Sequence, residues 1–170
     1  MSSYRQNLFH IIFRTKNNIP AIKVENADQL FAYISGIIKN KNSHLYRING
    51  IENHIHILTD IHPSISLADF VKDIKVSSSL WIKASGLFPS FCGWADGYGS
   101  FTCSFKDINK IIDYIKNQRE HHRKKSFEEE YRRLLMESGI SIDERYFPWF
   151  SYSAPSELLA FGRAYLLRRC

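Results

Sequence analysis

The stretch Asn53-His54-Ile55-His56-Ile57-Leu58-Thr59-Asp60 alternates polar and apolar residues with period two, the pattern of a β-strand. Side chains two apart on a strand share a face, so His54 and His56 are neighbours while Ile55 and Ile57 turn the other way. Two imidazoles placed like this can chelate one metal ion through two nitrogens. The same pair also suits a wet sheet face, and the spacing alone leaves both readings open. A second stretch that could do chemistry runs from Asp107 to His122. Ile108, Ile111, Ile112 and Ile115 recur at helical spacing and predict a buried stripe on a helix over 107–122. Tyr114 and Gln118 are four apart and stack one turn over the other beside that stripe, with Asn117 and His121 next to them. The flank presents a phenol, an amide oxygen and an imidazole together. Lys116, Arg119, Arg123, Lys124 and Lys125 make it basic. A half-buried tyrosine and a solvated charged face are the ordinary alternatives.

The rest of the chain supplies the elements that hold these residues. Leu8 to Phe13 is a nearly continuous apolar run and predicts a central strand. Asn26, with Gln29 three residues on, predicts a helix start, followed by Leu30, Phe31, Ile34, Ile37 and Ile38 at helical spacing. Leu45 to Ile48 predicts a short strand. Asn49-Gly50 then predicts a type I′ hairpin turn, from which the His54 strand returns antiparallel. Ser66 and Asp69 are a capping pair for a second helix, which carries Leu67, Phe70, Val71 and Ile74 and runs to Trp81. A Gly- and aromatic-rich loop over 86–99 leads to a short strand near Ser100–Ser104. The order strand, helix, strand, strand, helix, strand predicts an α+β ferredoxin-like or RRM-like sandwich. This is an antiparallel sheet with helices on one face, to which the helix of Tyr114 and a helical tail are added.

Residues 1–125 are expected to form one domain and 126–170 a helical extension packed on it or on a dimer partner. The extension opens with a Ser126–Glu129 capping box and an apolar stripe of Phe127, Tyr131, Leu134 and Leu135, and Gly139 ends that helix. An aromatic turn over 146–150 and a short helix over 156–169 follow.

The 170-residue chain is 44% hydrophobic and 24% charged, ordinary values for a folded domain. Lys and Arg number 23 against 17 Asp and Glu, a net charge of +6 that permits a polyanionic partner. Aromatic residues make up 14%, which serves a core or stacking on unpaired bases equally well. Three cysteines, without C-x-x-C spacing, argue against a disulfide framework and a zinc site and suit a reducing cytoplasm. The N-terminus has no apolar signal core, and no run is long enough to span a membrane, so no membrane partner is expected.

Taken together, His54-Ile55-His56 on a strand and Tyr114-Ile115-Lys116-Asn117-Gln118 on a downstream helix resemble the HUH single-tyrosine transposases. These are the small transposases of the simplest bacterial insertion sequences, with the REP-associated tyrosine transposases as relatives. Phe13-Arg14-Thr15-Lys16 is similar to the end of that family's first strand. Lys75-Val76-Ser77-Ser78 resembles its Lys-x-Ser-Ser helix pattern, and Trp94 to Tyr98 its Trp-x-x-Gly-Tyr segment. The likeness covers about residues 4 to 125.

The resemblance implies a DNA transposase that cleaves and rejoins single-stranded DNA through a covalent 5′-phosphotyrosine. In it Tyr114 is the nucleophile, and His54, His56 and Gln118 hold Mg²⁺ or Mn²⁺. Asn53 stands where the family commonly has Asp, and with His121 it is a candidate to sit behind the ligands. The resemblance also implies hairpin-containing DNA ends as substrate, a homodimer, and action in a bacterial cytoplasm. Arg14, Lys72, Lys75, Lys83 and Arg119 are the candidate DNA contacts. Two other readings stay open. One is a non-catalytic nucleic-acid-binding module on the same fold. The other is a metal-dependent DNA hydrolase that uses water and keeps Tyr114 for structure.

Overall fold

Period-two patterning builds the centre of the molecule. In the computed structural model, which describes residues 4–144 and 147, four strands form one antiparallel sheet in the order β2-β3-β1-β4. They are β1 (Leu8–Arg14), β2 (His44–Ile51), β3 (His54–Asp60) and β4 (Gly99–Thr102). Helix α1 (Ala27–Asn40) joins β1 to β2, and α2 (Leu67–Ser85) joins β3 to β4. This is the expected ferredoxin-like α+β sandwich.

The two sheet faces bury different things. Ile11, Phe13, Ile55 and Ile57 pack with Leu30, Ile34 and Ile38 of α1 and Phe70, Ile74 and Ile82 of α2. The opposite parity carries a smaller core in which Leu8 and Leu58 meet Ile108 and Ile115 of α3 (Ile108–Lys116), with Ile111 and Ile112 partly buried beside them. The apolar stripe read from the sequence is therefore a contact surface, and it sets α3 on the face that His54 and His56 share.

Three local expectations are corrected. Asn49 and Gly50 do not turn the chain. Strand β2 continues to Ile51, with Asn49 opposite His56 and Gly50 opposite Ile55, and the turn falls at Glu52-Asn53. Gly50 is needed for close approach instead, since a Cβ there would lie 2.2 Å from the His54 carbonyl oxygen. The helix expected over 107–122 is two helices. Asn117, at φ −96° and ψ 21°, separates α3 from α4 (Gln118–His122), and its Nδ2 donates to the Asp113 carbonyl at 2.9 Å. An asparagine side chain that competes for helical carbonyls is a common cause of such a break. Finally, the Asn26 side chain does not cap α1. Its Nδ2 donates to the Leu87 carbonyl at 3.0 Å and ties the start of α1 to the loop after α2.

The second helix behaves as read, with Ser66 Oγ accepting from the Asp69 amide at 3.1 Å. It runs four residues past Trp81 and ends at Gly86, whose φ of 68° suits glycine. The Trp94 ring sits edge-on to Phe13 at 4.8 Å, and its Nε1 donates to Ser78 Oγ at 2.9 Å. Lys75 Nζ donates to the carbonyls of Ala95 and Asp96 at 2.5 and 2.9 Å. The Lys-x-Ser-Ser and Trp-x-x-Gly-Tyr segments are thus two halves of one joint, in which α2 clamps the loop leading to β4.

By contacts the chain divides into two units, Met1–Lys124 and Lys125–Cys170. Within the second, α5 (Phe127–Glu137) starts with a complete capping box between Ser126 and Glu129 and is followed by Gly139 at φ 69°. Its Tyr131 packs on Phe127 and Phe147, and Arg132 pairs through both terminal nitrogens with Glu144. The expected helix over 156–169 and most of the aromatic turn over 146–150 lie outside the described residues. Among the described residues, no helix is long and apolar enough to cross a membrane.

Candidate metal and nucleophile site

Strand parity places His54 and His56 side by side on the α3 face, and both are fully buried. Each ring is oriented through its Nδ1. For His54, Nδ1 is 2.7 Å from Asn53 Oδ1, which can only accept, so Nδ1 carries the proton and Nε2 keeps its lone pair. For His56, Nδ1 is 2.9 Å from Nε2 of His10 on β1. When His56 Nδ1 donates in that bond, Nε2 is the acceptor nitrogen of the His56 ring. The Nε2 atoms of both rings are buried. A metal-binding histidine has this arrangement, one nitrogen fixed by a hydrogen bond and the other turned to the ion. One ring nitrogen each of His54, His56 and His122 lie within 4.8 Å of one another. Clustered imidazole nitrogens fit a divalent transition-type ion.

Tyr114 reaches the same place from α3. Its ring centroid is 6.0 Å from that of His56, 6.2 Å from that of His10 and 5.3 Å from that of His121, edge-on in each case. Helix α3 is held there partly by Asn49, whose Nδ2 donates to the carbonyls of Ile115 and Lys116 at 2.9 and 3.0 Å. The asparagine read from sequence as a turn residue is instead a strand residue that anchors the last turn of the Tyr114 helix. Gln118 opens α4 fully buried, with its Oε1 shielded from solvent.

The basic candidates divide by face. Arg14 pairs in register with His54 and so shares its face, and Arg119 is exposed on α4. Lys72, Lys75 and Lys83 lie on α2, which packs on the other face. Lys72 and Lys75 line an open groove with Lys16, Trp94 and Tyr98. The Lys75 ammonium is engaged by loop carbonyls, and burial holds it below the ordinary lysine value, partly offset by Asp96.

Sequence reasoning did not single out two members of the cluster, His10 and His122. His10 lies inside an apolar run with no polar neighbour to mark it. Only the pairing of β1 with β3, Ile12 against His56, brings it diagonally against His56. His122 adjoins His121, and the sequence does not show which of the two faces the strand.

Comparisons with known proteins agree with this layout. A family model described as "Transposase IS200 like" matches residues 3–118. The transposases for insertion sequence element IS200 of Salmonella typhimurium and Salmonella typhi are each 29% identical to this chain over 122 residues, 66% of this chain and 76% of theirs. Among solved structures, a candidate transposase from Deinococcus radiodurans superposes with a TM-score of 0.53 at 26% identity, over 69% of this chain and 98% of that one. A REP-associated tyrosine transposase bound to a REP hairpin gives a TM-score of 0.53 at 16% identity, over 72% of this chain and 74% of that one. That last likeness is one of fold.

Proposed function

The chain belongs to the IS200-like transposase family, and from that premise we propose that it cleaves and rejoins single-stranded DNA with Tyr114 as the nucleophile. The observation that carries this reading is the Tyr114 ring edge-on to His56, 6.0 Å away, beside three histidines with converging nitrogens. His54, His56 and Gln118 would hold a divalent cation, Mg²⁺ or Mn²⁺. When bound, the cation supplies Lewis-acid stabilisation of charge developing on the scissile phosphate.

The protein's own part is positioning and proton handling. Asn53 and His10 fix the histidine rings. Asn49 and the Ile108–Ile115 stripe fix the helix that carries the phenol. A phenol is a weak nucleophile at its usual pKa of about 10, so its proton must pass to a neighbouring base as it attacks. The His121 ring, 5.3 Å away, is the nearby candidate for that base. Attack by Tyr114 Oη on phosphorus forms the phosphotyrosine, breaks the bond to the 3′ oxygen and leaves a 3′-hydroxyl. A second 3′-hydroxyl can reverse the exchange and join a new strand, because the phosphodiester bond energy is retained.

The net charge of +6 supports a DNA partner. The hairpin held by the REP-associated relative supports hairpin-bearing ends as the form of substrate. A homodimer and action in the bacterial cytoplasm complete the proposal, with residues 1–125 as the catalytic domain and 126–170 as an extension.

The test is a denaturing gel with labelled single-stranded oligonucleotides from the flanking DNA, in Mg²⁺ or Mn²⁺. A metal-dependent covalent adduct should form and be lost in Tyr114→Phe. Binding without an adduct on any flanking strand would favour the binding module. Cleavage that persists in Tyr114→Phe would favour hydrolysis by water.

A further inference from the structure

We propose that His122 is a protein ligand of the cation, so that the centre is built on three imidazoles. This rests on the metal use proposed above and deepens it. His121-His122 is a sequence doublet in which either residue could face the strand. The structure separates them. The His121 ring packs on Tyr114 at 5.3 Å, whereas the His122 ring packs edge-on against His54 at 4.7 Å. A ring nitrogen of His122 joins one each from His54 and His56 within 4.8 Å. Three nitrogens on one ion, each at about 2.1 Å, lie about 3.4 Å apart in tetrahedral geometry. The set, gathered within 4.8 Å, therefore closes by at most about 1.4 Å to share one cation. His122 is half-buried on the five-residue helix α4.

Helical spacing accounts for the separation. In one continuous helix His122 would lie eight residues, about 800°, beyond Tyr114, and His121 about 700°. That puts His121 closer to the Tyr114 line and His122 some 80° round from it. That second line is the one that meets His54, ring to ring at 4.7 Å.

Three neutral imidazoles have chemical consequences. They favour later first-row divalent ions over Mg²⁺, which prefers oxygen donors. The centre should thus take Mn²⁺ or Co²⁺ much more tightly than Mg²⁺, and His122 should be a source of that preference.

The experiment is Mn²⁺ and Mg²⁺ titration of the full chain by calorimetry, with the Co²⁺ visible spectrum as a second readout. His122→Ala, His122→Gln, His121→Ala and His54→Ala are compared with the wild type, at equal metal-free melting temperature. His122→Ala should weaken Mn²⁺ binding at least tenfold, narrow the Mn²⁺/Mg²⁺ ratio and change the Co²⁺ band. His122→Gln should fall between it and wild type, and His121→Ala should stay within about twofold. Unchanged Mn²⁺ affinity and Co²⁺ spectrum in His122→Ala, with binding lost in His54→Ala, would overturn the ligand role and leave the transposase reading intact. No Mn²⁺ binding by the wild type would overturn both the ligand role and the metal dependence, while the Tyr114→Phe gel would still test the nucleophile.

Discussion

At the scale of single residues, the site depends on small polar groups that set imidazole tautomers. Asn53 accepts from His54 Nδ1 as a neutral amide. A carboxylate there would accept more strongly and raise the basicity of the proposed ligating nitrogen. Asn53→Asp is therefore expected to tighten Mn²⁺ binding several-fold, and Asn53→Ala to weaken it by about ten- to a hundredfold. Calorimetric titration of the two variants measures both directions at once. His10 holds His56 in the same way from the neighbouring strand. His10→Gln keeps a hydrogen-bonding group beside His56 Nδ1 and should retain more metal affinity than His10→Leu, which keeps similar volume without the hydrogen bond.

At the scale of elements, what matters is where strands and helices stop. Because β2 runs on to Ile51, Gly50 sits against the start of β3, and a Cβ would come 2.2 Å from the His54 oxygen and 2.9 Å from the Ile55 Cα. Backbone atoms cannot rotate away as a side chain can. Gly50→Ala is expected to cost at or above the upper end of the about 1–3 kcal/mol typical of overpacking. The urea midpoint should show this loss, and metal affinity should fall with it, since the displaced residue is His54. The capping box at α5 gives a milder case: Ser126→Ala should lower the stability of its unit by about 1 kcal/mol. The Asn117 break belongs to this scale too. It divides one expected helix into an anchored part that carries Tyr114 and a second part that carries Gln118 and the two histidines.

Across the whole molecule, charge sets the response to solution conditions. Lys41 at the end of α1 forms an ion pair with Asp73 of α2, and this holds the Asp73 carboxyl below its ordinary value. The Ser126 amide and hydroxyl do the same for Glu129, and Arg132 for Glu144. A carboxylate whose pKa is depressed by folding binds fewer protons folded than unfolded over the window between its two values. Its contribution is complete above the ordinary carboxylate range, about pH 4 to 4.5, and is lost as pH falls through the folded value. Melting temperature should therefore be level with respect to these groups near neutrality and decline below about pH 4.5, and Lys41→Met should remove the Asp73 part of that decline. The groups are exposed, so added salt should also shrink it. Affinity for a single-stranded oligonucleotide should fall linearly with log salt, with a slope near −0.7 for each phosphate neutralised. Arg14→Ala and Arg119→Ala, on the histidine side, should reduce that slope more than Lys75→Ala, whose ammonium is already engaged by loop carbonyls.

The sequence by itself determined the layers and most of the candidate site residues. Period-two and helical periodicities are local consequences of burial, so the order of elements, the two helix caps at Ser66 and Ser126 and the pairing of His54 with His56 were all legible from neighbours in the chain. The tertiary structure decided what depends on residues distant in sequence. It took Asn49 and Gly50 out of the turn that their local preference favours, because one anchors α3 through its carbonyls and the other lies against β3. It broke the helix at Asn117 and sent His121 and His122 to different partners. It brought His10 to His56 across 46 residues of chain. Propensity is a short-range preference worth about 1 kcal/mol or less per residue, and close packing between strands and helices outweighs it wherever the two conflict.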